Sequence, residues 1–163
     1  MSQHRTVDLL ISHQQIRLEN RPFETAYCQW GAGNLLQGCI VHDGFVVFDP
    51  IVQGSFGAYV QVTIAPEFHQ DDNSQRCMAV PFSYTPSYPL SISSAFEKHT
   101  LDWKLEPGGY QLIFEIVEID NEVQYKITLV PMLETAIKSE FLKDDDFGAV
   151  RKQKIRLGTT DEC

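Results

Sequence analysis

Apolar and polar residues alternate with a period of two along most of this chain, in runs of strand length. Val7, Leu9 and Ile11 fall on alternate positions, and Ile16 and Leu18 resume the pattern after His13-Gln14-Gln15. One long or two broken strands are predicted there. Residues 20–36 hold Pro22, Gly31, Gly33 and Asn34 among Phe23, Tyr27 and Trp30, which predicts an ordered connection pinned by aromatics, with room for a short helix. Gly38 to His42 and Phe45 to Phe48 flank Asp43-Gly44, a two-residue hairpin signal. Phe56, Ala58, Val60, Val62 and Ile64 predict a strand that ends in a polar loop, Pro66 to Gln75, with Asp71-Asp72-Asn73 at its tip. Arg76 to Tyr84 resumes extended chain. Pro81 marks that segment as an edge or bulged strand, because proline has no N–H for a ladder.

The clearest pattern runs from Leu101 to Leu129. Leu101, Trp103 and Leu105 alternate with Asp102, Lys104 and Glu106, and Pro107-Gly108-Gly109 supplies a corner. Tyr110, Leu112, Phe114 and Ile116 then share one face, with Gln111 and Glu115 on the other. After a reversal at Asp120-Asn121, Val123, Tyr125, Ile127 and Leu129 alternate with Gln124, Lys126 and Thr128. A three-strand meander is expected, with one apolar face and one wet, largely acidic face.

Strands thus recur about every 8 to 15 residues with almost no helical periodicity between them, which predicts an all-β fold, an antiparallel β-sandwich of eight or nine strands. Residues 1–131 are expected to form that domain, and 132–163 a C-terminal extension, helical or partly disordered. Within the extension Met132 to Leu142 could make a short amphipathic helix through Ala136, Ile137 and Phe141, stopped by Asp144-Asp145-Asp146. The basic run Arg151 to Arg156 could fold back on the acidic triplet by charge, and disorder is equally open.

A length of 163 residues fits one domain with an appended tail. The formal charge is -9, and residues 67–131 carry four basic and ten acidic groups, so most of the excess lies in the segment that holds the meander. Such a charge argues against direct binding to nucleic acid and leaves basic partners or small ligands open. Cys28, Cys39, Cys77 and Cys163 are widely spaced with no CxxC pair, so free thiols are expected, the first three buried and Cys163 exposed. The N-terminal sequence leads into no apolar signal core, and no apolar run approaches the roughly 20 residues that span a bilayer. A cytoplasmic protein with no membrane contact is expected.

No pattern commits the chain to catalysis. His4, His13, His42, His69 and His99 are scattered singly, and no His, Cys or carboxylate set has metal-site spacing. Asp71-Asp72-Asn73 and Asp144-Asp145-Asp146 lack the ligand number and spacing of a calcium loop. There is no GxSxG elbow, and Gly31-Ala32-Gly33 lacks the strand, third glycine and helix of a dinucleotide loop. Glu106 and Glu115 could pair across a hairpin for acid–base work, but a mixed charged face is also how an antiparallel sheet stays soluble. No enzyme activity, metal or cofactor is predicted.

Several short motifs nevertheless occur in a telling order: Leu10-Ile11-Ser12 with Gln14 or Gln15, Trp30 before Gln37-Gly38, and Asp43-Gly44 leading into Val46 to Phe48. Val80-Pro81-Phe82, Ile92 with Ser94, and Leu105-Glu106-Pro107-Gly108-Gly109-Tyr110-Gln111-Leu112 follow. In this order and spacing, from about Val7 to Pro131, the chain resembles the competence protein J family, small bacterial inhibitors of a DNA-entry nuclease. The resemblance implies a non-enzymatic protein that binds and occludes a nuclease; it carries over no partner-contact residues. From strand geometry and charge, the expected partner-binding residues are Asp71, Asp72, Asp102, Glu106, Glu115, Asp120 and Glu122, an acidic surface complementary to a basic substrate groove. Tyr59, Tyr84 and Tyr88 are candidate anchors. The alternative is a small-ligand or carbohydrate-binding sandwich using Trp30, Tyr59, Tyr84 and Tyr88, and an unprotected edge strand could also pair two copies as a homodimer.

Overall fold

The computed structural model describes residues 3–52 and 54–160, so the exposure expected of Cys163 lies outside the described residues. The fold is all-β, of the sandwich class that the alternation predicts, with eleven strands in two sheets. In chain order these are β1 (Gln3–Ile11), β2 (Ile16–Glu19), β3 (Cys39–His42), β4 (Phe45–Phe48), β5 (Phe56–Ile64), β6 (Ser74–Tyr84) and β7 (Leu90–Ser93). β8 (Lys98–Leu101), β9 (Gly108–Ile119), β10 (Glu122–Pro131) and β11 (Glu140–Phe141) complete them, and a six-residue helix α1 (Ala32–Gln37) precedes β3. The six-stranded sheet has the order β1-β5-β10-β9-β6-β11, and the five-stranded sheet β3-β4-β2-β7-β8. β10 runs parallel to β5, with Tyr125 opposite Val60, so the larger sheet is mixed rather than wholly antiparallel. A parallel pair needs a long connection, and the stretch from Ala65 to Asn121 provides it.

Turn chemistry sets the hairpins. Gly44 takes φ of 70° between β3 and β4, where His42 faces Phe45. Asp120 and Asn121 both take positive φ, 52° and 65°, which a two-residue primed turn requires, and Ile119 consequently pairs with Glu122. The meander predicted from Leu101, however, is only the β9–β10 hairpin. β8 pairs with β7 in the other sheet and stops at Leu101, opposite Leu90; the next position along β7 is Pro89, which has no N–H to donate. Residues 102–107 are irregular chain despite their alternation.

Two compact units make up the described chain. Of the described residues, the first takes in 3–8, Ala58–Pro81 and Gly109–Ile155, and the second takes in 9–52, 54–57, Phe82–Gly108 and 156–160. In the first unit the wet face expected of β9 is absent: every residue from Tyr110 to Val117 is buried. Cys77, Ala79, Ile113 and Val130 form an apolar cluster that Phe68 and Leu142 cover. Gln111 is buried because its amide holds the segment after β10, donating to Val80 O at 2.9 Å and Lys138 O at 2.8 Å and accepting from Lys138 N at 2.7 Å. A period of two says which residues share a face but not whether a later segment covers it.

That later segment is not the helix predicted over Met132 to Leu142. A 3-10 turn at Glu134–Ala136 is followed by extended chain and β11, whose Phe141 faces Met78 of β6. The backbone there has partners that a helix would forgo, including Leu142 N to Cys77 O at 2.9 Å and Ile155 N to Ser139 O at 2.9 Å. β11 spans only two residues of β6, Met78 and Ala79, and Pro81 lies beyond that pairing. The acidic triplet serves this docking. Asp145 Oδ2 accepts from Arg76 Nε at 2.8 Å with both side chains buried, and Arg76 also stacks on Phe141 and Phe147.

In the second unit Ile40, Phe45 and Val47 form one apolar cluster, with Tyr27, Cys28 and Trp30 packed against it. Cys39 and Cys77 are buried, as expected, but Cys28 is only partly so, because it packs over the Ile40 cluster rather than within it. Among the described residues no helix is long and apolar enough to cross a membrane.

Burial alone would push the Asp145 carboxyl up, but Arg76 and the amides of Ala149 and Phe147 outweigh it and hold it below its ordinary value. The stability this contributes is present above the unfolded-state pKa and lost as pH falls through the depressed folded value. Asp145→Ala should therefore cost about 3–5 kcal/mol, since it leaves the Arg76 charge buried without its partner. Urea unfolding at neutral pH measures this, and the gap between variant and parent should narrow at acid pH.

Candidate functional site

The sequence-predicted carboxylates of the first unit gather at one end of the six-stranded sheet. The loop before β6 reaches that end because Glu118 N donates to Asn73 O at 3.2 Å, beside the β9–β10 turn. Asp72, Asp120 and Glu122 are exposed there, and Asp71 is partly buried. Asp71 caps its own loop, with Oδ1 accepting from Asn73 N at 2.8 Å, while Oδ2 meets Lys126 Nζ at 3.2 Å. The Asn73 amide, with help from Lys126, holds the Asp71 carboxyl below its ordinary value, so it is ionised at neutral pH.

Glu118 joins this group although the alternation assigns it to the face of Phe114 and Ile116. It is exposed because the last residues of β9 run past the buried part of the strand. No periodicity signal marks where burial ends along a strand; its proximity to Asp120 and Glu122 in sequence was the available clue.

Glu115 departs from expectation. It was expected on the wet face but is only 1% exposed, under the loop before β6. Its Oε2 accepts from Asp71 N at 3.0 Å, and Oε1 has no hydrogen-bond partner among the described residues. Burial pushes its pKa up, against the lowering effect of the Asp71 amide and Lys126. The same burial, together with the Glu115 charge, raises the Cys77 thiol. Glu115 is thus a support for the loop rather than part of an accessible surface. Asp102 and Glu106 are exposed on the irregular connection of the second unit.

The aromatic candidates do not form one group. Tyr84 is buried at 6% exposure, whereas Tyr59 and Tyr88 are exposed at 47% and 41%, and Trp30 packs on the Ile40 cluster. A cleft of about 370 Å³ in the second unit is lined instead by Arg17, Glu19, Phe23, Ser93, Phe96 and Lys98, among others. At its floor Arg17 lies 3.6 Å from Glu19 and stacks at 5.2 Å over the Phe23 ring, and Lys98 Nζ meets Glu19 Oε1 at 2.9 Å. The Ser93 hydroxyl donates to Glu19, and Arg17 donates to the Ser94 carbonyl. His69 pairs with Glu67 and His99 with Glu97, each at 3.2 Å. Among the described residues no group of three or more His, Cys, Asp or Glu side chains is placed to hold a metal.

The model of the competence protein J family matches residues 8–130 of this chain. Among solved structures, the fold is similar to that of ComJ from Bacillus subtilis, an inhibitor of the DNA degrading activity of NucA. The TM-score is 0.66 at 20% identity, over 81% of this chain and 99% of that one. It is also similar to the crocagin biosynthetic gene J protein, with a TM-score of 0.55 at 16% identity over 82% of this chain and 99% of that one. No curated protein matches the chain in sequence.

The buried carboxylate beneath the acidic loop yields a signed expectation. A folded-state pKa raised above the unfolded value means that Glu115 favours folding below its unfolded pKa and loses that contribution as pH rises through the folded one. Glu115→Gln keeps an acceptor for Asp71 N–H and removes the buried charge. It should raise the urea midpoint at pH 7 and leave it unchanged at pH 4, where the parent carboxyl is already protonated.

Proposed function

Because the chain belongs to the competence protein J family, we propose that it is a non-enzymatic protein that binds and inhibits a nuclease. The similarity in fold to an inhibitor of a DNA-degrading enzyme supports this reading. The observation that carries the proposed mode of binding is the cluster at one end of the six-stranded sheet. Asp71, Asp72, Glu118, Asp120 and Glu122 present five carboxylates there, with Lys126 engaged by Asp71. A nuclease that holds nucleic acid offers a basic groove, and an acidic projection complements it, speeds encounter and disfavours acidic partners.

In this reading Asp72, Asp120 and Glu122 face the groove, while Asp71 and Glu115 keep the loop in place beside them. Asp102 and Glu106 form a separate acidic element on the second unit. Charge sets the association rate; a stable complex still needs apolar anchors, and Tyr59 and Phe147 are exposed aromatics of the same unit. The cleft at Arg17 and Phe96 supports a second reading, a small ligand with an apolar body and a charged head. Calorimetric binding of any such ligand, abolished by Phe96→Ala, would favour it.

Titrating the chain against a nuclease from its own genome tests the first reading, and a chain that neither binds nor inhibits any of them would sink it. The triple variant Asp72→Lys, Asp120→Lys, Glu122→Lys should slow association on the order of tenfold or more at low salt and flatten its salt dependence. The pair Asp102→Lys, Glu106→Lys measures the second acidic element separately. Unchanged stopped-flow kinetics in the triple variant would move the interface away from this end of the sheet.

A further inference from the structure

α1 and strand β3, an edge of the five-stranded sheet, hold a segment of the chain's own C-terminal region in a manner that reads backbone rather than side chains. Gln37 and Asn34, at 6% and 0% exposure, supply most of the grip. Gln37 Nε2 donates to Arg156 O at 3.0 Å and its Oε1 accepts from Arg156 N at 2.9 Å, the paired pattern that a neighbouring strand would offer. Asn34 Nδ2 donates to Gly158 O at 2.9 Å, and its Oδ1 accepts from Thr160 N at 2.8 Å. Gly158 N donates to Val41 O at 2.7 Å, and Gly33 N to Thr160 O at 3.0 Å.

These six bonds alternate along residues 156, 158 and 160 and all end on main-chain atoms. The side chains of Arg156, Leu157 and Thr159 are exposed; Arg156 Nη1 donates to Thr160 Oγ1 at 3.3 Å within the segment, and Thr159 Oγ1 donates to Gln29 O at 3.3 Å. The backbone makes its own demand on sequence at Gly158, which takes φ of 72°, a value that an L side chain rarely adopts. Beside the site α1 exposes Leu35 and Leu36 at 57% and 63%, a pair of apolar contacts that residues 156–160 leave uncovered. The gripping residues lie inside the part of the chain that the family model matches, 8–130, and the occupant lies beyond it.

We propose that α1 and β3 form a docking site for an extended peptide segment of another protein, with glycine at its third position, and that residues 156–160 occupy this site as an internal competitor. Main-chain bonds give the grip and the glycine gives selectivity, while Leu35 and Leu36, which residues 156–160 leave exposed, take apolar side chains of the partner. The tail lowers apparent affinity for the partner by the fraction of time it stays seated. This proposal does not depend on the nuclease reading, because the site is in the second unit and uses none of the acidic residues assigned above.

Two full-length variants unseat the tail by different means. Gly158→Val forbids the positive φ, and Arg156→Pro removes the N–H that Gln37 accepts. Neither residue lies in a strand, so both sheets remain. Hydrogen exchange should show faster exchange at residues 156–160 in both variants. A fluorescein-labelled peptide with the sequence of residues 155–160 should then bind each variant at least tenfold more tightly than the parent. Valine in place of its glycine, or Gln37→Leu in the released chain, should abolish that binding. A released chain that does not bind the peptide overturns the proposal, as does protection at residues 156–160 that persists in both variants. Dimers of the released variants in light scattering, with no peptide binding, would assign the site to exchange of tails between copies and overturn it equally.

Discussion

A buried polar side chain must find partners, and in the six-stranded sheet that requirement organises everything outside the strands. Arg76 on β6 and Gln111 and Glu115 on β9 are each almost wholly buried. A buried group left unpaired costs about 1–3 kcal/mol, more for a charge, so each of the three fixes a piece of chain that supplies its partner. Arg76 takes Asp145, Gln111 takes the backbone of Lys138, and Glu115 takes the amide of Asp71. Three irregular segments that the alternation leaves unplaced are thereby placed.

The same requirement decides which carboxylates are available to a partner. Glu115 and Asp145 sit in acidic stretches, and both are consumed inside the molecule. Their neighbours Asp72, Asp120 and Glu122 meet no such demand and stay exposed. Asp71 stands between these cases, since its backbone satisfies Glu115 while its carboxylate holds Lys126 and turns the loop. Stability and the proposed binding surface therefore meet in one loop, and the pKa shifts of Glu115 and Asp71 run in opposite directions for the same structural reason. One carboxylate lost its water without an adequate counter-charge; the other kept its water and gained donors.

Buried amides repeat this device in the second unit. Asn20 donates to Thr85 O and Tyr88 O and accepts from Thr85 N, so one side chain shapes the turn before β7. Asn34 and Gln37 do the same for residues 156–160. Uncharged amides can be satisfied fully by main chain, donor and acceptor together, which lets them grip a segment of nearly any sequence. Arg17 and Glu19 show the other case, since each is held by the other and by neighbours around an open cleft.

The sequence by itself determined the local structure: the all-β class, the hairpins at Asp43-Gly44 and Asp120-Asn121, and the face on which Tyr110, Leu112, Phe114 and Ile116 lie. It also carried the family, whose model matches residues 8–130. These are short-range facts, because backbone sterics at glycine and asparagine and the pleat of a strand act over a few residues. Tertiary structure alone decided the rest. Alternation could not tell that Asp102 to Leu105 lacks a neighbour to pair with, since pairing ends where Pro89 has no donor. Nor could it tell that the polar face of β9 would be covered by Phe68, Asp71, Lys138 and Leu142, or that the apparent helix at 132–142 would give its backbone to β6 and Gln111. Burial of a residue depends on what returns to cover it, and that is set by distant chain finding unsatisfied polar groups rather than by the period of its own strand.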